Sequence, residues 1–137
     1  MTKMKTIFAI IFLALLIPVL LKAPESEAKV YRGKYANNTK WSYNTKTKTV
    51  TIECRGELSD DSNGSAGWRD YYLKAKKVIF KKGITSIGAG AFDNFQKLEE
   101  VVLPEGLRII KYDAFDGCRK LQFINKPSTL EVIEKDV

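Results

Sequence analysis

Apolar residues return at a fixed interval through the second half of the chain. Residues 78–100 and residues 101–123 align without a gap at a period of 23 residues, and residues 124–137 begin the pattern a third time. The first two copies share identical residues at Val78/Val101, Gly83/Gly106, Ile87/Ile110, Ala91/Ala114, Phe92/Phe115, Asp93/Asp116, Lys97/Lys120 and Leu98/Leu121. A fixed period of this length predicts a solenoid, in which each unit buries its apolar side only against its neighbours.

Each copy of the repeat predicts one short strand followed by two further inward segments. The predicted inward strand positions are Leu98, Val101 and Leu103, with Ala75, Val78 and Phe80 one turn earlier. Gly83 and Gly106 then turn the chain. The later inward positions are Ile84/Leu107/Leu130, Ile87/Ile110/Ile133, Ala91-Phe92 and Ala114-Phe115. Cys118 takes the position that Phe95 holds one turn earlier, so we interpret Cys118 as a packing residue.

The residues before the repeats predict a cap for the first turn of the solenoid. Residues 41–43 and 48–54 alternate between apolar and polar side chains and predict a hairpin with its turn at residues 44–47. Residues 56–67 predict a loop from their composition, and residues 68–75 predict one or two helical turns. Residues 29–40 predict an extended or poorly ordered lead-in.

Charged residues at equivalent positions of neighbouring repeats are complementary. Stacking at strand spacing places such residues about 5 Å apart. The predicted pairs are Lys76/Glu99, Lys77/Glu100, Lys82/Glu105, Arg108/Glu131 and Lys111/Glu134. This charge complementarity supports the 23-residue alignment of the repeats independently of their identical residues.

The first 28 residues have the three parts of a signal peptide. Lys3 and Lys5 precede an apolar run over residues 7–21, and small residues precede a cleavage site after Ala28. An uncleaved membrane anchor is the alternative, but the run is short for a spanning helix. The sequence thus predicts a secreted or cell-surface protein without a membrane span after cleavage. The chain is thus predicted to consist of a signal peptide (residues 1–28), a basic lead-in (29–40), a cap made of the hairpin, loop and short helix (41–77), and the repeats, two complete and a third truncated (78–137).

The net charge of +7 is concentrated near the start of the predicted mature chain. Residues 29–48 carry six basic residues and no acidic one. With Tyr31, Tyr35, Trp41 and Tyr43, this segment either attracts an anionic cell-wall polymer or glycan, or is simply a soluble stretch after a signal peptide. Nucleic acid is a poor partner for an exported protein.

The sequence offers little for catalysis, and we predict neither an enzyme nor a bound cofactor. The sequence contains no histidine, which excludes Ser-His and Cys-His nucleophile systems and metal sites with histidine ligands. Residues 59–70 resemble half of a calcium loop, but we interpret them as a turn-rich surface loop and predict no metal site. Cys54 and Cys118 are predicted to pack as small apolar residues, with a disulfide between them as the alternative.

The repeat motifs resemble the BspA-type (Treponema-type) leucine-rich repeats of bacterial surface and secreted proteins. The first copy carries the resemblance through residues 83–88 and Ala91-Phe92, and the second through Leu103-Pro104-x-Gly106-Leu107, Ala114-Phe115 and Cys118-x-x-Leu121. The resemblance implies adhesion or protein binding at cell surfaces. The predicted fold is a β-rich leucine-rich-repeat solenoid with short parallel strands, an N-terminal hairpin cap and little helix.

The outward positions of the repeat strands are the predicted binding residues. Three apolar and three polar side chains make up this set: Ile79, Val102 and Phe123, with Lys77, Glu100 and Asn125. We expect a protein or cell-surface polymer as the partner, because solenoids bind through such faces. Self-association through an uncapped third repeat is a further expectation. The alternative is a truncated fragment of a longer surface protein, with a structural role or no independent function.

Overall fold

The computed structural model describes residues 26–137, so the predicted signal segment lies outside the described residues except for its last three. The regular secondary structure of the described chain is almost entirely short strands. They are β1 (Val30–Tyr35), β2 (Thr39–Asn44), β3 (Thr49–Glu53), β4 (Gly56–Glu57), β5 (Lys77–Phe80), β6 (Ile84–Ile87), β7 (Glu100–Val102), β8 (Ile109–Ile110), β9 (Phe123–Ile124) and β10 (Val132–Ile133). A 3₁₀ helix, Gly67–Tyr71, lies between β4 and β5.

The strands form two sheets that run along the stack of repeats. One has six strands in the order β1-β2-β3-β5-β7-β9, and the other has four in the order β10-β8-β6-β4. Strands β5, β7 and β9 pair in parallel, as do β6, β8 and β10. Val78 pairs with Val101 on one sheet, and Ile87 pairs with Ile110 on the other. Both registers equal the 23-residue period, which confirms the predicted solenoid.

The core between the two sheets is filled by the inward positions of the repeats. A column of stacked rings runs through it: Trp68 lies on Phe92 and Phe92 lies on Phe115, with centroids 5.8 and 5.9 Å apart and planes tilted by 18°. The Trp68 indole N–H donates to the Ala91 carbonyl at 2.9 Å. Such rings contribute more than their buried area alone. Trp68 of the cap is therefore the first ring of a column that Phe92 and Phe115 of the repeats continue.

The lead-in is a strand rather than disordered chain. Residues 30–35 form β1, which pairs antiparallel with β2 along its whole length. The chain reverses at Asn37 and Asn38, both in the left-handed region that asparagine tolerates better than most residues. Gly33 lies opposite Trp41, and a β-carbon there would come within 2.6 Å of the indole. The glycine thus makes room for the tryptophan, which closes the cap over the 3₁₀ helix.

The predicted loop after the hairpin caps the second sheet. Gly56 of β4 pairs in parallel with Ile84, and the Leu58 and Asp61 amides donate to the Ser86 and Ala89 carbonyls at 2.9 and 2.8 Å. A loop of this composition therefore continues the hydrogen-bond ladder of the repeats. The predicted hairpin itself is confirmed as β2 and β3, with the Asn44 side chain accepting two amide bonds inside the turn.

Three of the five predicted charge pairs are present. Their N···O distances are 3.0 Å for Lys76–Glu99, 2.9 Å for Lys77–Glu100 and 2.9 Å for Arg108–Glu131. The other two predictions are wrong because closer partners compete. Glu105 accepts bonds from the amide and hydroxyl of Ser128, and Lys111 pairs with Asp60 of the capping loop at 3.1 Å.

A buried carboxylate holds the cap together. Asp61 is fully buried and accepts bonds from the amides of Ser65 and Ala66 at 2.8 and 2.9 Å and from the Tyr35 hydroxyl at 3.1 Å. Its second oxygen lies 3.1 Å from the Arg69 guanidinium, which also donates to the Asp93 carbonyl. This one side chain therefore connects β1, the loop, the 3₁₀ helix and the first repeat.

Replacing Asp61 by alanine should lower the free energy of unfolding by about 3 kcal/mol, because it leaves a largely buried guanidinium and two amides without their acceptor. Chemical denaturation followed by tryptophan fluorescence measures the change. Glu99→Ala is the matched control, since it breaks an exposed ion pair and should change the stability by less than about 1 kcal/mol. Equal losses for the two variants would contradict this account of the cap.

Candidate binding face of the six-stranded sheet

The alternation of side chains along β5, β7 and β9 puts five of the six predicted binding residues on the outward face. Val78 and Val101 point into the core, so their neighbours point outward. The register places Ile79 beside Val102, and it places Lys77, Glu100 and Phe123 in one row. Ile79 and Val102 are half-buried, whereas Phe123 is 68% exposed. These three apolar side chains are therefore accessible from solvent, Phe123 the most.

The two charged members of this face neutralise each other. The Lys77 ammonium lies 2.9 Å from the Glu100 carboxylate, and both side chains remain partly exposed. The pair contributes little to stability at such a site. It leaves a locally neutral strip beside Ile79 and Val102, with the Phe123 ring next to Glu100 across the ladder.

Asn125 has a structural task. Its side-chain oxygen accepts the Leu103 amide at 2.7 Å, and its side-chain nitrogen donates to the Leu103 carbonyl at 2.8 Å. The side-chain amide of Asn125 thus makes the hydrogen bonds to the Leu103 backbone that a continued β9 strand would otherwise make. Its exposure allows contact with a partner, but its hydrogen-bonding groups are already used.

The outward face continues past the repeats onto the cap. Thr51 pairs with Ile79 and Ser42 pairs with Thr51, so one row crosses four strands from Val102 to Ser42. Sequence reasoning assigned the hairpin only a capping role and missed these polar positions. The alternation of Thr49, Thr51 and Glu53 with the buried residues of β3 was the signal that could have found them.

The basic and aromatic residues of the lead-in point to opposite sides. Tyr43 is buried, and Tyr35 and Trp41 pack against the core from the inward face, whereas Arg32 and Lys34 are exposed on the outward face. Tyr43 stacks on Tyr71 with centroids 4.0 Å apart. The aromatic residues therefore belong mainly to the cap and do not line a common surface with the basic ones.

The third repeat exposes apolar groups at the far end of the stack. Ile133 pairs with Ile110 as the period predicts, yet it is 57% exposed because no residue among 26–137 packs over it. A groove of about 570 Å³ opens there. Its apolar lining includes Phe115, Leu121, Ile124, Leu130 and Ile133. Self-association through this surface stays a prediction.

Neither cysteine is set up as a nucleophile. Cys54 is buried, Cys118 is half-buried, and both are free thiols rather than a disulfide. Burial raises the pKa of Cys54, and burial raises the pKa of Cys118 to about 11. The Cys118 thiol also donates to the Phe92 carbonyl at 3.2 Å. Both groups are therefore thiols rather than reactive thiolates at neutral pH.

The segment that resembles a calcium loop uses its central carboxylate internally, because Asp61 is occupied by two amides, a hydroxyl and Arg69. Between residues 26 and 137, no group of three or more histidine, cysteine or acidic side chains could hold a metal ion. In the same range, no helix has the length and apolar character needed to cross a bilayer.

The stacked parallel strands, the 23-residue register and the apolar corners define a leucine-rich-repeat solenoid. A family model described as "BspA type Leucine rich repeat region (6 copies)" matches residues 70–137. Through this repeat region the chain belongs to the BspA-type leucine-rich repeat family. A search of the curated proteins gives no match.

Two solved bacterial proteins share the fold. The chain is similar to a leucine-rich repeat protein from Eubacterium ventriosum ATCC 27560, with a TM-score of 0.63 and 17% identity over 80% of this chain and 28% of that one. It is also similar to the T. pallidum leucine-rich repeat protein TpLRR, with a TM-score of 0.51 and 21% identity over 84% of this chain and 54% of that one. The chain thus spans about a quarter and about half of their lengths.

Alkylation of Cys118 by iodoacetamide should remain slow at neutral pH and accelerate as the pH approaches about 11, because the thiolate forms only there. Because the folded chain holds the Cys118 proton more tightly than the unfolded chain does, the protonated thiol favours the folded state. This contribution to stability is fully present below the unfolded pKa of about 8.5 and is lost as the pH rises through about 11. Mass spectrometry of the labelled peptide, with the urea-unfolded chain as control, measures the rates. Equal rates at pH 7 for folded and unfolded chains would contradict the burial argument.

Proposed function

We propose that this chain is a secreted or surface-associated, non-catalytic leucine-rich repeat module that binds a protein or a cell-surface polymer. The outward face of the six-stranded sheet is the proposed binding surface. The observation that carries the proposal is the accessible apolar row formed by Ile79 and Val102, with Phe123 beside it. An exposed apolar group with a polar surround is typical of interaction sites.

The composition of the face supports a partner of low charge at its centre. Lys77 and Glu100 cancel each other, and Thr51 and Ser42 continue the row with small polar side chains. A partner that covers this strip would desolvate apolar groups without leaving an unpaired charge. A flat sheet face also presents these groups without reorganisation, which lowers the entropic cost of binding.

Support for a non-catalytic role comes from the chemistry of the side chains. The chain has no histidine, and both thiols are protonated at neutral pH. Support for export comes from the signal-like pattern of residues 1–28 and from membership of a repeat family found in bacterial surface proteins. Adhesion is the finer form of this proposal.

Replacing Val102 by aspartate should weaken binding to an immobilised cell-surface extract by at least about tenfold, because a charge is buried at the centre of the contact. Phe123→Ser should weaken binding as well, and its exposure makes a folding defect a poor explanation. Biolayer interferometry with the purified full chain measures both affinities, and circular dichroism checks that each variant is folded.

The matched control is Thr85→Asp, which puts the same charge at an exposed position of the other sheet. It should leave binding unchanged. If Thr85→Asp lowers the affinity as much as Val102→Asp, or if Phe123→Ser and Val102→Asp both bind normally, the outward face is not the binding surface.

A further inference from the structure

Strand β1 is the outermost strand of the six-stranded sheet at the cap end. Within residues 26–137, no strand pairs with its outer edge. All six of its residues pair with β2 without a bulge. A long, regular edge of this kind is a template for one more strand.

The backbone groups that face the open edge follow from the hydrogen-bond pattern. The Thr45 amide donates to the Lys29 carbonyl at 2.9 Å, so position 29 bonds toward β2. Residues of an antiparallel strand alternate between bonding toward one neighbour and toward the other. The N–H and C=O groups of Val30, Arg32 and Lys34 therefore point away from β2 and are available to a partner.

The edge is held rigidly by its inward side chains. The Tyr35 ring packs edge-on against Trp68 at 5.1 Å, and its hydroxyl donates to the buried Asp61 carboxylate. Tyr31 packs against Tyr71 at 5.8 Å yet remains 47% exposed. An added strand would thus meet a preorganised backbone and gain apolar contact with Tyr31.

Two of the three outward side chains of the edge are basic, and the third is the partly exposed Val30. Arg32 and Lys34 are exposed on the same face, and Lys34 pairs directly with Lys40 of β2. Like charges opposite each other destabilise a sheet. Lys40 lies 4.0 Å from Glu53, but both side chains are more than 60% exposed, so this pair offsets little of the repulsion.

These charges select the partner. A second copy of the chain that paired through β1 would bring Arg32 and Lys34 against the same residues of its twin, which the repulsion disfavours. An acidic strand in the same place would put carboxylates beside Arg32 and Lys34 and relieve the Lys34–Lys40 repulsion. The register therefore favours an anionic occupant over a second copy.

We propose that β1 binds an extended acidic peptide segment of another protein as an added antiparallel strand. The backbone of Val30, Arg32 and Lys34 forms the ladder, and acidic side chains at alternate positions of the peptide face Arg32 and Lys34. The intervening side chains of the peptide lie beside Tyr31 on the other face. Main-chain bonds supply affinity and the charges supply specificity in this mode of recognition.

Amide hydrogen exchange of the full chain, followed by NMR, tests this directly. The probe is a short peptide in which Glu alternates with Val, and the control is the same peptide with Lys in place of Glu. In the free protein, the Arg32 and Lys34 amides should exchange quickly and the Tyr31 and Gly33 amides slowly. At about ten times its Kd, the Glu peptide should slow exchange at Arg32 and Lys34 by about tenfold, and the Lys peptide should not.

Two variants at one position separate the backbone from the charge. Arg32→Thr removes one positive charge but keeps the outward amide, so it should weaken binding of the Glu peptide only partly. Arg32→Pro also removes the amide, at an edge site where proline is tolerated, and it should abolish binding. Exchanging both Arg32 and Lys34 for Glu should reverse the preference toward the Lys peptide.

The proposal is overturned if the Glu peptide gives no protection at Arg32 and Lys34, or if both peptides protect equally. It is also overturned if these amides are already slow in the free protein and slow further with protein concentration, since a second copy then covers the edge. Equal binding by Arg32→Thr and Arg32→Pro would exclude strand addition. Strand addition at the edge of β1 does not involve Ile79, Val102 or Phe123, so failure of their variants leaves this result intact.

Discussion

The structure depends on one constraint, which is that successive turns of the chain must keep the same register on two sheets at once. Val78 pairs with Val101 and Val101 with Ile124 on one sheet, while Ile87 pairs with Ile110 and Ile110 with Ile133 on the other. A slip of one residue would turn buried side chains outward. The fixed period therefore determines which residues form the core, which rings stack and which charges meet.

The first turn of the solenoid has no earlier repeat to cover it, and the cap solves this with a different spacing. Val50 pairs with Val78 and Gly56 with Ile84, an offset of 28 residues (78 − 50 and 84 − 56) instead of 23. The additional length includes the loop that carries Asp60 and Asp61. Buried Asp61 organises that loop, and Asp60 reaches across to Lys111. Polar interactions of Asp60 and Asp61 thus hold the cap on the first repeat, whereas the later turns are held by stacking of equivalent residues in register.

This difference in spacing explains what could be predicted from the sequence. Period and alternation were sufficient for the repeat strands, the hairpin and the inward position of Cys118, because each follows from local pattern. β1, β4 and the place of Trp68 in the ring column could not be predicted, since comparison at 23 residues aligns Trp68 with Ala91 instead of Phe92. The partner of Lys111 was missed because Asp60 lies 51 residues away in a segment outside the period. The Asn125 amide was missed because its bonds replace a strand that ends early.

The same stacking gives the two ends of the solenoid different chemistry. The cap end presents the free backbone of β1 between basic side chains, whereas the far end presents β9 and β10 with exposed Phe123, Ile124 and Ile133. Strand addition is geometrically available at both ends, but desolvating Arg32 and Lys34 against an apolar surface would leave their charges unpaired. The two ends are therefore not complementary to each other, and head-to-tail stacking of identical chains is disfavoured. The two ends therefore differ in what they can bind: the proposed occupant of β1 is anionic, whereas the exposed groups of the third repeat are apolar.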